Sequence, residues 1–131
     1  MKLLLLASAG GAIGAGLRFL VNQAFAGPHI VRGVLVFPWA TLAVNVAGGF
    51  LMGVVFVAVQ ERLGGSPEWR AFLATGILGG LTTFSAYSLD MMNLFADGGA
   101  GLRFLAYTIG SVVLAFAALL AGMALARAVI A

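Results

Sequence analysis

Gly76-Ile77-Leu78-Gly79-Gly80-Leu81-Thr82-Thr83-Phe84-Ser85-Ala86-Tyr87-Ser88 lies inside an apolar run long enough to cross a membrane, yet its composition is wrong for a lipid-facing helix. Three glycines, two threonines and two serines crowd positions where leucines would be expected. Glycine weakens a helix by about 1 kcal/mol relative to alanine, and adjacent glycines let a chain leave helical dihedrals without a Cβ clash. At bilayer depth a break survives only where it is buried in protein or lines a wet cavity, because its freed carbonyls and amides need partners. The stretch therefore predicts an interrupted transmembrane helix whose exposed backbone and hydroxyls form an ion site. The rest of the chain has to bury it.

Composition points the same way. Of 131 residues, 63% are hydrophobic and 8% charged, far below the ~25% charged content of soluble domains. Four segments are nearly free of charge: about Leu3 to Phe25, Phe37 to Val59, Ala71 to Phe95 and Leu102 to Ala126. Each reaches the roughly 20 residues needed to cross ~30 Å of hydrocarbon. The connections are short, so we read residues 1–131 as one all-α integral membrane domain of four transmembrane helices, the third broken mid-membrane. Met1-Lys2, Leu3 to Leu6 and Ala7-Ser8-Ala9 imitate a signal peptide. The apolar pattern continues past Ala9, however, and cleavage would leave an odd number of spans. The absence of cysteine excludes disulfides and thiolate metal sites. A net charge of +3 carried by scattered basic residues argues against a nucleic-acid surface.

In the first helix Gly10 and Gly14 form a small-xxx-small pair that lets another helix approach closely. Arg18 sits well inside the run, where a cation is costly unless it snorkels to the interface or faces water. It either snorkels or forms the positive wall of an aqueous vestibule. Gly27-Pro28-His29 breaks the chain, and Arg32 marks a water-exposed turn. His29, the only histidine, has no carboxylate near it in sequence and reads as a solvated loop residue. Pro38 suits the opening of the second helix, and Trp39 is placed to anchor at the headgroups. Thr41 and Asn45 share a face by i,i+4 spacing, and Gly48, Gly49 and Gly53 permit another close contact. Asn45 is either interhelical glue or part of a polar pathway; the polar cluster in the third helix favours the pathway. Asp97-Gly98-Gly99-Ala100-Gly101 reads as a flexible turn. In the last helix Tyr107 and Ser111 share a face.

Four spans put both termini on one side, with Lys2, Arg62, Arg70 and Arg127 there and Arg18, Arg32 and Arg103 opposite. That is almost no bias for a rule based on loop Lys/Arg asymmetry. The chain is therefore expected to insert in both orientations and to pair antiparallel with itself, since four short helices are few to enclose a conduction path.

No Ser/His/Asp set, metal cluster or phosphate loop is present, so no enzyme is expected. A proton-coupled pump would carry a carboxylate deep in the membrane; Asp90 is the only acidic residue near a span interior, and the first two helices have none. What remains is a neutral polar track: Asn45, Thr82, Thr83, Ser85, Ser88, Tyr107, Thr108 and Ser111, beside Phe84 and Tyr87. Amide and hydroxyl donors replace water around a small anion without holding it by a full charge, as conduction requires. Aromatic edges are the positive part of the ring quadrupole, so Phe84 and Tyr87 can present edges to one path.

Three pieces in order resemble the Fluc (CrcB) fluoride channel family: Gly10 to Phe19 (GGAIGAGLRF), Thr41 to Gly48 (TLAVNVAG) and Gly79 to Ser85 (GGLTTFS). The resemblance spans essentially the whole chain. It implies a dual-topology antiparallel homodimer with two fluoride pathways, in the inner membrane of a bacterium. It also implies a structural Na+ at the dimer centre, held by the backbone carbonyls of Gly79 and Thr82. By motif position Asn45 is the pore asparagine, Phe84 the first pore phenylalanine, and Ser85 a lining residue. Tyr87 stands where the second phenylalanine is usual, Tyr107 and Ser111 resemble fourth-helix pore residues, and Arg18 suits a vestibule. Three departures stand close together: Ala86 for threonine, Tyr87 for phenylalanine and Asp90 for glutamate. Tyr87 adds a hydroxyl that must find a partner or protrude into the pathway. Some members of the family work as paired paralogues, so a heterodimer is a second possible assembly.

The expected function is passive, fluoride-selective export. A small proton-coupled secondary transporter is the alternative, opposed by the lack of a buried carboxylate. A structural membrane subunit without transport is a third, opposed by the polar track.

Overall fold

A computed structural model of the chain describes residues 1–25, 30–31, 34–35, 37–98 and 100–130. The sequence expectations for Gly27-Pro28-His29, Arg32 and Gly99 lie outside the described residues. Helix α1 runs over Lys2–Ala24. Two short strands follow, β1 (Ile30–Val31) and β2 (Val34–Leu35), paired antiparallel with Ile30 opposite Leu35. Helix α2 is Trp39–Glu61. The third span, Pro67–Gly98, comes in two halves: α3 over residues 67–81 and α4 over Phe84–Gly98. Helix α5 is Leu102–Ile130. The four spans are each long and apolar enough to cross a membrane, which makes this a multi-pass membrane protein. Their ends fall within a few residues of the sequence expectation. Pro38 caps α2 from outside rather than opening it. The strand pair between α1 and α2 was not expected.

The start of α3 is written locally. Ser66 accepts the N–H of Trp69 at 3.4 Å, Pro67 occupies the first turn and Glu68 sits beside the positive helix end. Gly64 and Gly65, at φ +59° and +69°, make the preceding turn, which side chains disfavour. Over Arg70–Leu78 the helix is widened to i→i+5 bonding, so that Gly79 N–H reaches back to Ala74. Such widened turns are uncommon and gather at functional sites.

The spans pack as two close pairs, α1 on α3 and α2 on α5. The first explains the glycine pair. A Cβ on Gly14 would lie 2.8 Å from the Leu81 nitrogen and closer still to the Ile77 carbonyl. One on Gly10 would lie 2.9 Å from the Gly76 Cα. On α3 itself, a Cβ at Gly80 would meet the Gly11 carbonyl at 2.6 Å. This corrects one expectation. The chain does not leave the helix at its paired glycines: Gly79 is helical at φ −65°, ψ −35°, and the departure comes at Thr82, φ −77°, ψ 156°. Gly76 and Gly80 serve the α1 crossing while Gly79 is exposed, and a β-branched residue takes the extended backbone that suits it.

Two apolar clusters flank the break. Val44, Leu78 and Leu81 are buried before it, and Tyr87, Leu94 and Tyr107 after it. At one end of the bundle Lys2 meets Glu68 at 3.3 Å and Arg62 donates to the Ile130 carbonyl. At the other, Arg103 meets Asp97 at 3.2 Å. The expected flexible turn is thus partly helix, because α4 continues through Gly98 and is tied to α5. Gly14→Val should prevent close α1–α3 packing and cost about 3 kcal/mol or more. Gly16→Ala, with nothing within 4 Å, should leave stability unchanged or raise it slightly. Melting curves of the two variants in detergent check the contrast.

Candidate functional site

The break sits near the midpoint of its 32-residue span. The last turn of α3 closes on Leu78, whose carbonyl accepts both Thr82 N–H (3.0 Å) and Thr82 Oγ1–H (2.8 Å). In an unbroken helix the Gly79 carbonyl would take the N–H of Thr83. That N–H instead donates to Asn45 Oδ1 at 2.8 Å, and Asn45 Nδ2 donates to the Thr83 carbonyl at 3.1 Å. One side-chain amide from α2 therefore satisfies both polar groups of one peptide residue in the third span. Thr83 also caps α4: its Oγ1 accepts the N–H of Ala86 at 3.2 Å and shares a hydrogen bond with Ser85 Oγ at 3.1 Å. From α1, Arg18 Nη1 donates to the Thr82 carbonyl at 3.4 Å. The break is stabilised from two neighbouring helices.

Beside it lies an open groove of about 470 Å³. Its polar lining comes from Asn45, Thr82, Thr83 and Ser111, its rings from Phe84 and Tyr87, and its apolar wall includes Met52, Val112 and Leu119. Ser111 is only 4% exposed, and its Oγ has no partner among the described residues. A buried hydroxyl left unpaired is a rarity that calls for a ligand or water. Thr108 Oγ1 is a second such atom. Phe84 is the opposite case, 78% exposed at the rim.

The sequence-predicted residues divide into three groups. Asn45, Phe84, Tyr87, Ser111 and Thr82 come together on the groove. Ser85 lies beside it, its hydroxyl turned to Thr83. Tyr107, wholly buried, is not on the groove: it donates to Asp90 Oδ2 at 2.9 Å and meets Phe37 edge-on at 5.6 Å. Arg18 and Gly79 are also off the groove lining, with Arg18 on the Thr82 carbonyl and Gly79 exposed on α3. Tyr87 resolves its extra hydroxyl by donating to the Thr108 carbonyl at 2.8 Å. Its ring stands between Phe84 (5.4 Å) and Tyr107 (5.5 Å). Two roles were not legible. Thr83 was one more hydroxyl in a track, with no acidic residue three positions on to announce a cap. Gly48 reads as helix packing, yet a Cβ there would collide with the methyl of Thr82.

A four-span membrane domain with a broken helix, neutral donors and ring edges around an open groove, and no carboxylate among the described residues that line it, belongs to the class of ion-handling membrane proteins. The comparisons narrow this. Residues 5–123 match the family described as CrcB-like protein, Camphor Resistance (CrcB). The chain is 47% identical over 125 residues to the fluoride-specific ion channel FluC of Agrobacterium fabrum, covering 93% of this chain and 94% of that one. It is also 47% identical over 130 residues to the FluC of Rhizobium meliloti, covering 99% and 100%. The FluC of Phenylobacterium zucineum is 47% identical over 135 residues, with both chains fully covered. The chain belongs to the CrcB family.

Thr83→Ala removes the cap of α4 and should lower stability by about 1 kcal/mol, while Thr83→Ser keeps an oxygen in place and should cost a few tenths. Melting of the two variants in one detergent separates these outcomes.

Proposed function

We propose that this chain is a passive fluoride-selective channel of a bacterial inner membrane, and not an enzyme. The observation that carries the reading is the groove at the break, with a buried unpaired hydroxyl on Ser111, in a chain whose relatives are named fluoride-specific ion channels. Fluoride is small and strongly hydrated, so a path must offer several donors at short range to offset dehydration. Asn45 Nδ2 has two hydrogens; one is committed to the Thr83 carbonyl, and the other is free to meet an anion. Ser111 brings an uncommitted O–H. Phe84 and Tyr87 add ring edges, and because the Tyr87 hydroxyl is engaged with α5, that ring acts through its edge alone. None of these groups carries a full charge, so an ion is bound without being trapped. A larger halide reaches fewer donors at once.

The active form in this proposal is an antiparallel homodimer of dual topology with two pathways. The nearly even Lys/Arg distribution supports insertion in both orientations, and the open groove with its exposed Phe84 is a surface that a second copy would close. The Gly79 and Thr82 carbonyls would hold a central sodium ion. Their chemistry fits: both are hard oxygen donors, and Gly79 has lost its helical donor because Thr83 N–H turns to Asn45. The ion's charge would hold two inverted breaks together. Arg18 would stand near the mouth of the path. The proton-coupled alternative is disfavoured because Asp90, engaged by Tyr107, is not among the residues that line the groove.

Reconstitution tests the proposal. Liposomes loaded with fluoride should release it rapidly and electrogenically, with little release of chloride. A requirement for a proton gradient would favour the transporter instead. Asn45→Asp should abolish flux, by placing a like charge on the path and losing the donor to Thr83. Phe84→Ile should impair flux by removing a positive edge; a fully active variant would take Phe84 out of the path.

A further inference from the structure

We infer that Arg18 is a built-in cation that competes with sodium for the Thr82 carbonyl, so that it sets the sodium affinity of the assembled protein. The inference rests on the sodium reading above and goes beyond it. The break releases carbonyls that a continuous helix would satisfy, and in the single subunit one of them is already served: Arg18 Nη1 donates to the Thr82 oxygen at 3.4 Å. That contact crosses from the first span to the third at apolar depth, where a guanidinium without a partner is expensive. Its length marks it as a weak bond, held by charge more than by geometry and therefore open to exchange.

A sodium ion on the same oxygen and the guanidinium would be two like charges within a few ångströms, in a setting where screening is poor. They cannot both hold that carbonyl at low cost. In the unpaired subunit Arg18 occupies the oxygen and keeps the break from being an unsatisfied polar defect in the membrane. When two subunits meet and sodium enters, Arg18 is displaced toward water, where it is free to attract anions. Arg18 thus lowers sodium affinity while protecting the unassembled chain. By linkage, whatever weakens the hold of Arg18 on Thr82 must strengthen that of sodium.

The test uses the full-length protein in detergent, melted over a sodium series at constant ionic strength with N-methylglucamine as the replacement cation. Melting is followed by tryptophan fluorescence, so the readout does not depend on transport. Wild type should be stabilised by sodium with a definable half-saturating concentration. Arg18→Gln should lower that concentration by about tenfold or more, about 1.4 kcal/mol in sodium binding. Arg18→Lys keeps the charge but not the guanidinium fork, and should lower it less; it carries the test if the glutamine variant does not fold. A sodium-stabilised wild type whose half-saturation is unchanged or raised in the variants overturns the role of Arg18 alone. A wild type indifferent to sodium overturns the sodium reading, and this inference with it.

Discussion

The two hydrogen bonds between the Asn45 amide and the backbone of Thr83 are the constraint from which the rest of this structure follows. A peptide group cannot be left bare in hydrocarbon, where each unsatisfied donor or acceptor costs several kcal/mol. Asn45 supplies an acceptor at 2.8 Å and a donor at 3.1 Å at the point where the third span stops being helical. With Thr83 N–H drawn to α2, the Gly79 carbonyl loses its helical donor. With Thr82 extended, its own carbonyl faces α1, where Arg18 meets it. A single amide side chain thus opens a helix at half depth and leaves usable oxygen atoms behind.

The same clamp sorts the polar groups by sign. Carbonyl oxygens at Gly79 and Thr82 suit a cation. Hydrogens on Asn45 and Ser111, with the ring edges of Phe84 and Tyr87, suit an anion. Both sets are assembled around one break, and no ionised side chain is among the described residues lining the groove. Tyr107 and Asp90 take a supporting part, bonded to each other behind the aromatic ring of Tyr87. The widened turn over Arg70–Leu78 runs directly into the break, with Gly79 N–H reaching back to the Ala74 carbonyl.

Much of this was legible in the residues. Charge-free runs place four spans because bilayer thickness leaves little freedom in length, and the unusual alphabet of Gly76 to Ser88 marks the broken one. The mechanism of the break was not legible. Glycine pairs are the strongest local signal for leaving a helix, yet Gly79 is helical and Gly80 lies against α1; tertiary contact overrides propensity there. The partnership of Asn45 with Thr83 joins residues 38 positions apart, and no local pattern encodes it. Tyr87 shows a finer limit. The sequence shows that its hydroxyl needs a partner, but only the packing of α4 on α5 identifies Thr108 as that partner.

The claim that the third span is opened at its threonines is tested most directly by solid-state NMR of threonine-labelled protein in lipid bilayers. The chain has five threonines, Thr41, Thr75, Thr82, Thr83 and Thr108. Cα and Cβ shifts should be helical for Thr41, Thr75 and Thr108 and extended for Thr82, with a Thr83 amide contact to the Asn45 side chain. Helical shifts at all five, with Thr83 N–H bonded to Gly79, would contradict the account.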